Sequence, residues 1–221
     1  VYGIKYQANQ LEAKMKLIPH RTISVLLLVL TLLNPLLSSA ERVSYNLIAD
    51  KSTLSWTGEK VTGSHNGILS VKSGEAIIEN NTLVGGSFEL AMGTIKNLDI
   101  EDPKYNKKLT DHLLSADFFN ALEFPVARFV ITTATPLKEP NADGTNYTIT
   151  GDLTIKRLTA PITFPAKVTL NGKEALAQAT TKVDRTAFNI RYGSGKFFEN
   201  LGDKLIYDLF TVSFNLVSER S

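Results

Sequence analysis

Few residues in this chain have the type and spacing for covalent chemistry. Ser64 stands beside His65, and Asp111 beside His112. Between them they hold the ingredients of a serine hydrolase: a nucleophile, a base and an orienting carboxylate. That chemistry needs the nucleophile on a sharp elbow with base and orienter assembled around it, and no Gly-x-Ser-x-Gly elbow is present. Gly193-Ser194-Gly195-Lys196 has the look of a phosphate loop. The pattern requires Ser or Thr after the Lys, where this chain has Phe197, and Gly five residues before Gly195, where it has Ile190. His65 and His112 are far apart and lack paired ligand spacing, so no metal centre is predicted. With no Cys in the chain, thiolate ligands, catalytic thiols, disulfides and a Cys-anchored lipid are all excluded. These residues predict a protein that is not an enzyme and carries no cofactor.

Composition points the same way. The chain has 221 residues, 43% hydrophobic and 21% charged, which suits a globular domain rather than a disordered one. A net charge of +2 gives no electrostatic case for nucleic acid. The basic excess and the densest apolar run both lie near the N-terminus. Ile23 to Leu37 is almost wholly apolar, follows Lys16, His20 and Arg21, and precedes Ser38-Ser39-Ala40. Basic flank, short apolar core and small-residue end predict a secretory signal peptide over residues 15–40, cleaved after Ala40. The run is short of the ~20 residues a membrane span needs, and Pro35 interrupts it. Residues 1–14, upstream of Met15, read as an over-extended gene start. Residues 1–40 carry Lys5, Lys14, Lys16 and Arg21 against Glu12, so the mature 181 residues have a net charge of −1. The expected location is the periplasm or outside the cell.

The elements that must position any site are strands. Tyr147, Ile149, Gly151, Leu153 and Ile155 alternate with Thr148, Thr150, Asp152 and Thr154. Ile162, Phe164, Ala166, Val168 and Leu170 alternate with Thr163, Pro165, Lys167 and Thr169. Val84, Gly86, Phe88, Leu90 and Met92 share one parity, as do Phe210, Val212, Phe214 and Leu216. One apolar and one wet face per segment is the pattern of an antiparallel sheet. Gly63 to Gly67, Asn80-Asn81, Asn141 to Gly144 and Asn171-Gly172 read as turns, with Asn171-Gly172 the strongest hairpin signal. About eight strands result, in the spacing of a barrel or sandwich. Asp102-Pro103 can start a helix, and Leu109 and Leu113 recur at i, i+4. One or two short helices are expected, over 103–114 and 116–120. Residues 41–221 form a single all-β domain with minor helix.

Three blocks lie along that domain. The first is Trp56-Thr57-Gly58-Glu59-Lys60 with Gly63-Ser64-His65-Asn66-Gly67. The second is His112 to Phe119 followed by Phe124-Pro125-Val126-Ala127-Arg128-Phe129. The third is Gly151 to Lys156 with Thr159-Ala160-Pro161. Arg185, Tyr192 to Gly195 and Gly202-Asp203-Lys204 continue the series. In order and spacing these blocks resemble the YceI-like family over about residues 43–219. Arg157 departs from it, standing where that family usually has Gly. Leu114 departs too, standing where a basic residue is common. The resemblance implies a lipocalin-like antiparallel β-barrel of about eight strands around a long apolar tunnel. It also implies a bound polyisoprenoid, such as an isoprenoid quinone, and export.

The inward-facing parity supplies the candidate tunnel lining: Phe88, Leu90, Tyr147, Ile149, Leu153, Phe164, Val168, Phe210, Val212 and Phe214. At the tunnel mouth the candidates are His112, Phe197 and Phe198. His112 would bond a ligand head group or pair locally with Asp111 or a carbonyl. The expected function is non-enzymatic binding and transport of a long apolar lipid. The alternative is a filled barrel that binds an envelope partner through its loops. Transient membrane contact and homodimerisation are compatible with either.

Overall fold

The structure is a computed structural model that describes residues 41–221. The signal peptide, its cleavage after Ala40 and the extension over 1–14 lie outside the described residues. Eleven strands and one helix follow in chain order. They are β1 (Arg42–Leu47), β2 (Thr53–Lys60), β3 (Gly63–Ile68), β4 (Val71–Glu79), β5 (Thr82–Ala91), β6 (Lys96–Asn97), α1 (Pro103–Leu114), β7 (Val126–Pro136), β8 (Tyr147–Ile155), β9 (Leu158–Leu170), β10 (Glu174–Asp184) and β11 (Leu209–Arg220).

All pairings are antiparallel. The ring β1-β4-β5-β7-β8-β9-β10-β11 closes where β11 returns to β1, with Tyr45 opposite Arg220 and Leu47 opposite Ser218. This is the eight-stranded, lipocalin-like barrel the resemblance implies, built from the strands the alternation predicts. The last strand does more than close it. One edge of β11 pairs with β10 throughout, while its other edge is shared by β1 near residue 218 and by β2 from Thr211 to Asn215. Through β2 the sheet continues to β3 and β6 and lengthens the wall at one end.

The hairpins follow their turn chemistry. Asn80 and Asn81 join β4 to β5 with φ of 50° and 59°, the two positive values a two-residue type I′ turn demands. Between β9 and β10, Gly172 sits at φ 83° and the Asn171 carboxamide oxygen accepts from the amides of Lys173 and Glu174. Arg157 causes no backbone strain, because its neighbour Lys156 takes the positive φ of 58°. The Arg157 guanidinium instead lies over the Phe124 ring at 5.2 Å and pairs with Glu123.

The pairing of β9 with β10 is incomplete. It covers only Lys167–Leu170 of β9, whereas β8 pairs with β9 from Leu158 to Ala166. Pro161 and Pro165 fall in the stretch that β10 leaves uncovered. A proline has no N–H to give a second neighbour, so it is tolerated on such an edge. The 3₁₀ turn Arg185–Phe188 follows β10 directly.

Three expectations need correction. Gly63–Gly67 is not a turn but most of strand β3. One of its two glycines reflects packing: a Cβ on Gly67 would stand 1.8 Å from the Lys96 carbonyl oxygen and 2.6 Å from the Trp56 ring, whereas Gly63, at φ 149°, has open space around it. Val84 does not share the inner face with Phe88. A β-bulge lies there, with Ile77 opposite Gly85 and Ile78 opposite Leu83, so Val84 is the extra residue and points outward. Residues 116–120 form hydrogen-bonded turns rather than a second helix, and Asn120, at φ 47°, ends them. Helix α1 is capped as expected. The Asp102 carboxylate accepts from the amides of Lys104 and Tyr105, and Pro103 opens the first turn.

The close fit of Gly67 gives a direct test. Gly67→Ala is expected to break the β3–β6 pairing and push the Trp56 ring from its seat, costing about 2 kcal/mol by overpacking. Trp56 is the chain's single tryptophan. Its emission should shift to the red, and unchanged emission with unchanged stability would contradict this packing.

Candidate functional site

The strands turn their apolar parity inward, and two cavities remain inside the barrel. The larger, about 140 Å³, lies toward the end built by β2, β3 and the helix. The smaller, about 70 Å³, lies toward the β1 end, against Leu47, Ile78, Ala175 and Leu216. Both walls are almost wholly hydrocarbon and aromatic.

Seven of the predicted lining residues face the larger cavity: Phe88, Leu90, Leu153, Phe164, Phe210, Val212 and Phe214. Ile149 and Val168 line the smaller one, which Phe88, Phe164 and Phe214 also reach. Tyr147 lines neither. It is buried below the smaller cavity, where its hydroxyl accepts from the Leu83 amide. The three mouth candidates also line neither cavity. Phe197 and Phe198 are 41% and 51% exposed, with the Arg191 guanidinium 4.7 Å over the Phe197 ring. His112 lies edge-on to Tyr192 and Phe118, at 4.5 and 4.9 Å between ring centres. Its Nε2 meets Asp117 at 3.1 Å, not Asp111, which is held by Lys107. His65 is likewise no free turn residue, because its Nδ1 meets the Asp99 carboxylate at 2.8 Å. Burial pushes the Asp99 carboxyl upward, but donation from the Asn66 amide, His65 and Asn97 outweighs it and holds the group below the usual carboxylate range.

Other lining residues lay outside the predicted set. One of them, Phe129, is 2% exposed and faces both cavities. Its parity with Ala127 and Ile131 is a signal that could have marked it. Trp56 and Leu54 come from β2, and Leu113, Phe118 and Phe119 come from the helix and the turns after it. Leu54 and Trp56 share one parity of β2, whereas the inward direction of Leu113, Phe118 and Phe119 depends on how the helix docks, which no local pattern encodes. Among the described residues, the Trp56 indole N–H finds no acceptor.

The charged residue on this wall is Arg185, and its charge is committed to structure. Nε donates to the carbonyl of Tyr207 at 3.1 Å. One terminal nitrogen donates to Ile190 and Tyr192 at 2.9 and 2.8 Å, and the other to Ile206 at 2.9 Å. Asp208 faces the same guanidinium at 3.4 Å. Burial lowers the pKa of Arg185, and the carboxylates of Asp208 and Asp184 act the other way. The guanidinium therefore ties residues 190–208 across the end of the larger cavity. Next to it, the Asp184 carboxylate caps the 3₁₀ turn through Thr186 and receives the Lys196 ammonium at 2.8 Å. Burial raises the Asp184 carboxyl, but Lys196 and Thr186 together hold it below its ordinary value.

The arrangement can hold an apolar guest by exclusion of water, and it offers no reacting groups to that guest. Among the described residues, no group of three or more His, Asp or Glu is placed to hold a metal ion.

Comparison with known proteins agrees with this architecture. BcnA of Burkholderia cenocepacia superposes with a TM-score of 0.57 at 23% identity, covering 77% of this chain and 98% of that one. A polyisoprenoid binding domain from Saccharophagus degradans superposes with a TM-score of 0.57 at 12% identity, covering 81% and 99%. Among curated proteins, Protein YceI of Escherichia coli is 39% identical over 90 residues, which is 38% of this chain and 44% of that protein. A UPF0312 protein of Pseudomonas putida is 36% identical over 86 residues, 36% of this chain and 42% of that protein. The matched stretch is thus less than half the length of these curated relatives. The YceI-like domain family matches residues 45–218, nearly all of the described chain, and to that family the protein belongs.

Proposed function

We propose that the protein is an exported, non-enzymatic carrier that holds a long apolar chain, a polyisoprenoid or an isoprenoid quinone, inside its barrel. The observation that carries this reading is a larger cavity lined by aromatic and aliphatic side chains, whose charged member, Arg185, is already satisfied by backbone carbonyls. Such a lining recognises hydrocarbon and leaves a polar head group to the mouth. Each buried methylene is worth ~0.8 kcal/mol, so several isoprene units supply ample gross attraction. Ordering the chain and immobilising the complex keep the net affinity far below that sum. Support also comes from a protein of the same fold that is described as a polyisoprenoid binding domain. The location in the periplasm, the contact with membranes and the transport role belong to the same proposal, resting on the apolar run before Ala40.

A second reading draws on one specific observation. The larger cavity is the size of one that holds a single benzene-sized guest, and lipid or drug sites usually exceed ~300 Å³. A barrel filled by its own side chains, binding an envelope partner through its loops, would have so small an interior. One experiment separates the two. The protein is purified without detergent and its bound lipids are identified by mass spectrometry, followed by uptake of ubiquinone by the delipidated protein. Recovery or uptake of an isoprenoid supports the carrier. Lipid-free protein that takes up none favours the filled barrel.

A further inference from the structure

The two cavities are separated by a closed circuit of four aromatic rings. Phe88 of β5 meets Phe129 of β7 at 5.4 Å between centres, and Phe129 meets Phe164 of β9 at 5.6 Å. Phe164 meets Phe214 of β11 at 5.8 Å, and Phe214 meets Phe88 at 5.8 Å. Each centre-to-centre spacing lies in the range where aromatic pairs attract. All four rings line both cavities, so the circuit is the partition between them.

The members are not equally free. Phe129 and Phe164 are 2% and 4% exposed. Phe129 lies directly over Gly151, where a Cβ would come within 2.3 Å of its ring, so its position is fixed from below. Phe88 and Phe214 are only half-buried and are adjacent in the circuit. The side that can open is the one they form.

We propose that these four phenylalanines are a septum that selects ligands by length. Closed, it confines a guest to the larger cavity and suits a short apolar chain. A long chain is admitted when Phe88 or Phe214 turns aside and joins the two cavities into one tunnel. The inference rests on the carrier reading above, and it adds which residues set the length of the chain carried. Rotating a side chain that already faces empty space on both sides joins the two spaces, of about 140 and 70 Å³, into one path along the barrel.

The test uses the purified protein with geraniol as the short probe and geranylgeraniol as the long one. Trp56, which lines the larger cavity, reports binding of either by its fluorescence. Opening the circuit by Phe214→Ala removes two aromatic contacts that a long ligand must otherwise break, so the affinity ratio of long to short should rise about tenfold. The milder Phe88→Leu should move the ratio in the same direction and guards against loss of folding in the first variant. A ratio unchanged in a folded variant overturns the septum while leaving the carrier intact. Failure of the unmodified protein to bind either alcohol overturns the carrier reading, and the septum with it.

Discussion

Replacing Arg185 by methionine is expected to destabilise the domain by about 3–5 kcal/mol, the usual cost of breaking a buried charge arrangement from one side. Methionine keeps the apolar stem but removes every donor. The carbonyls of Ile190, Tyr192, Ile206 and Tyr207 are then left without their partner, and the Asp208 carboxylate keeps only the Lys196 ammonium, at 4.0 Å. A loss of that size is a large part of the ~5–15 kcal/mol that holds a domain together. Arg185→Lys is expected to recover only a minority of it, because an ammonium cannot address four carbonyls in the plane that the guanidinium spans. Chemical denaturation measures both. Near-complete rescue by lysine would mean that charge alone, not the planar fork, holds the segment. The damage should also be local. Residues 190–208 loosen first and open the larger cavity, which an apolar dye would report by increased binding.

Phe164→Asp is expected to be as severe by a different route. Phe164 is 4% exposed and belongs to the aromatic circuit. Truncating such a ring costs ~3–5 kcal/mol in packing alone. A carboxylate in its place is surrounded by phenylalanine and has no donor to meet it, which adds several kcal/mol or forces the group to remain protonated. The variant should either unfold or lose its ligand. Thr163→Asp, one residue away, is the control. Thr163 is exposed and shares a hydrogen bond with Thr150 at 2.9 Å on the outer face. Its loss should cost under about 1 kcal/mol and leave ligand binding unchanged. Equal behaviour of the two variants, by thermal melting and ligand uptake, would refute the assignment of inner and outer faces.

Those two neighbours also mark what the sequence could reveal. A strand has a period of two, so Phe164 and Thr163 declare opposite faces without any knowledge of the fold. The same rule places Ile149, Leu153, Val168 and Val212 correctly inside. It fails at Val84, because one inserted residue reverses the parity, and the mark of that bulge is the pair Gly85-Gly86 beside it rather than the alternation. It fails at Gly63–Gly67 for a different reason. A glycine that makes room for Trp56, as Gly67 does, looks the same in sequence as a glycine that makes a turn. Phe129 was within reach of the alternation. The Arg185 anchor was not, since backbone carbonyls from residues 190–207 are silent in any pattern of side chains. His112 illustrates a further limit. Its partner is five residues away on a turn rather than adjacent, and only the geometry after α1 decides that.

The prolines of β9 have a consequence beyond the barrel's own geometry. A strand that lacks a neighbour is an open template, and an intruding chain can add to it hydrogen bond by hydrogen bond. The stretch of β9 around Ile162 and Phe164 would be a potent nucleus for such growth, being rich in β-branched and aromatic residues. Pro161 and Pro165 interrupt the row of amide donors there at two points. The uncovered edge is thereby spoiled as a docking rail, so the protein can keep a seam in its wall without seeding fibrils through it.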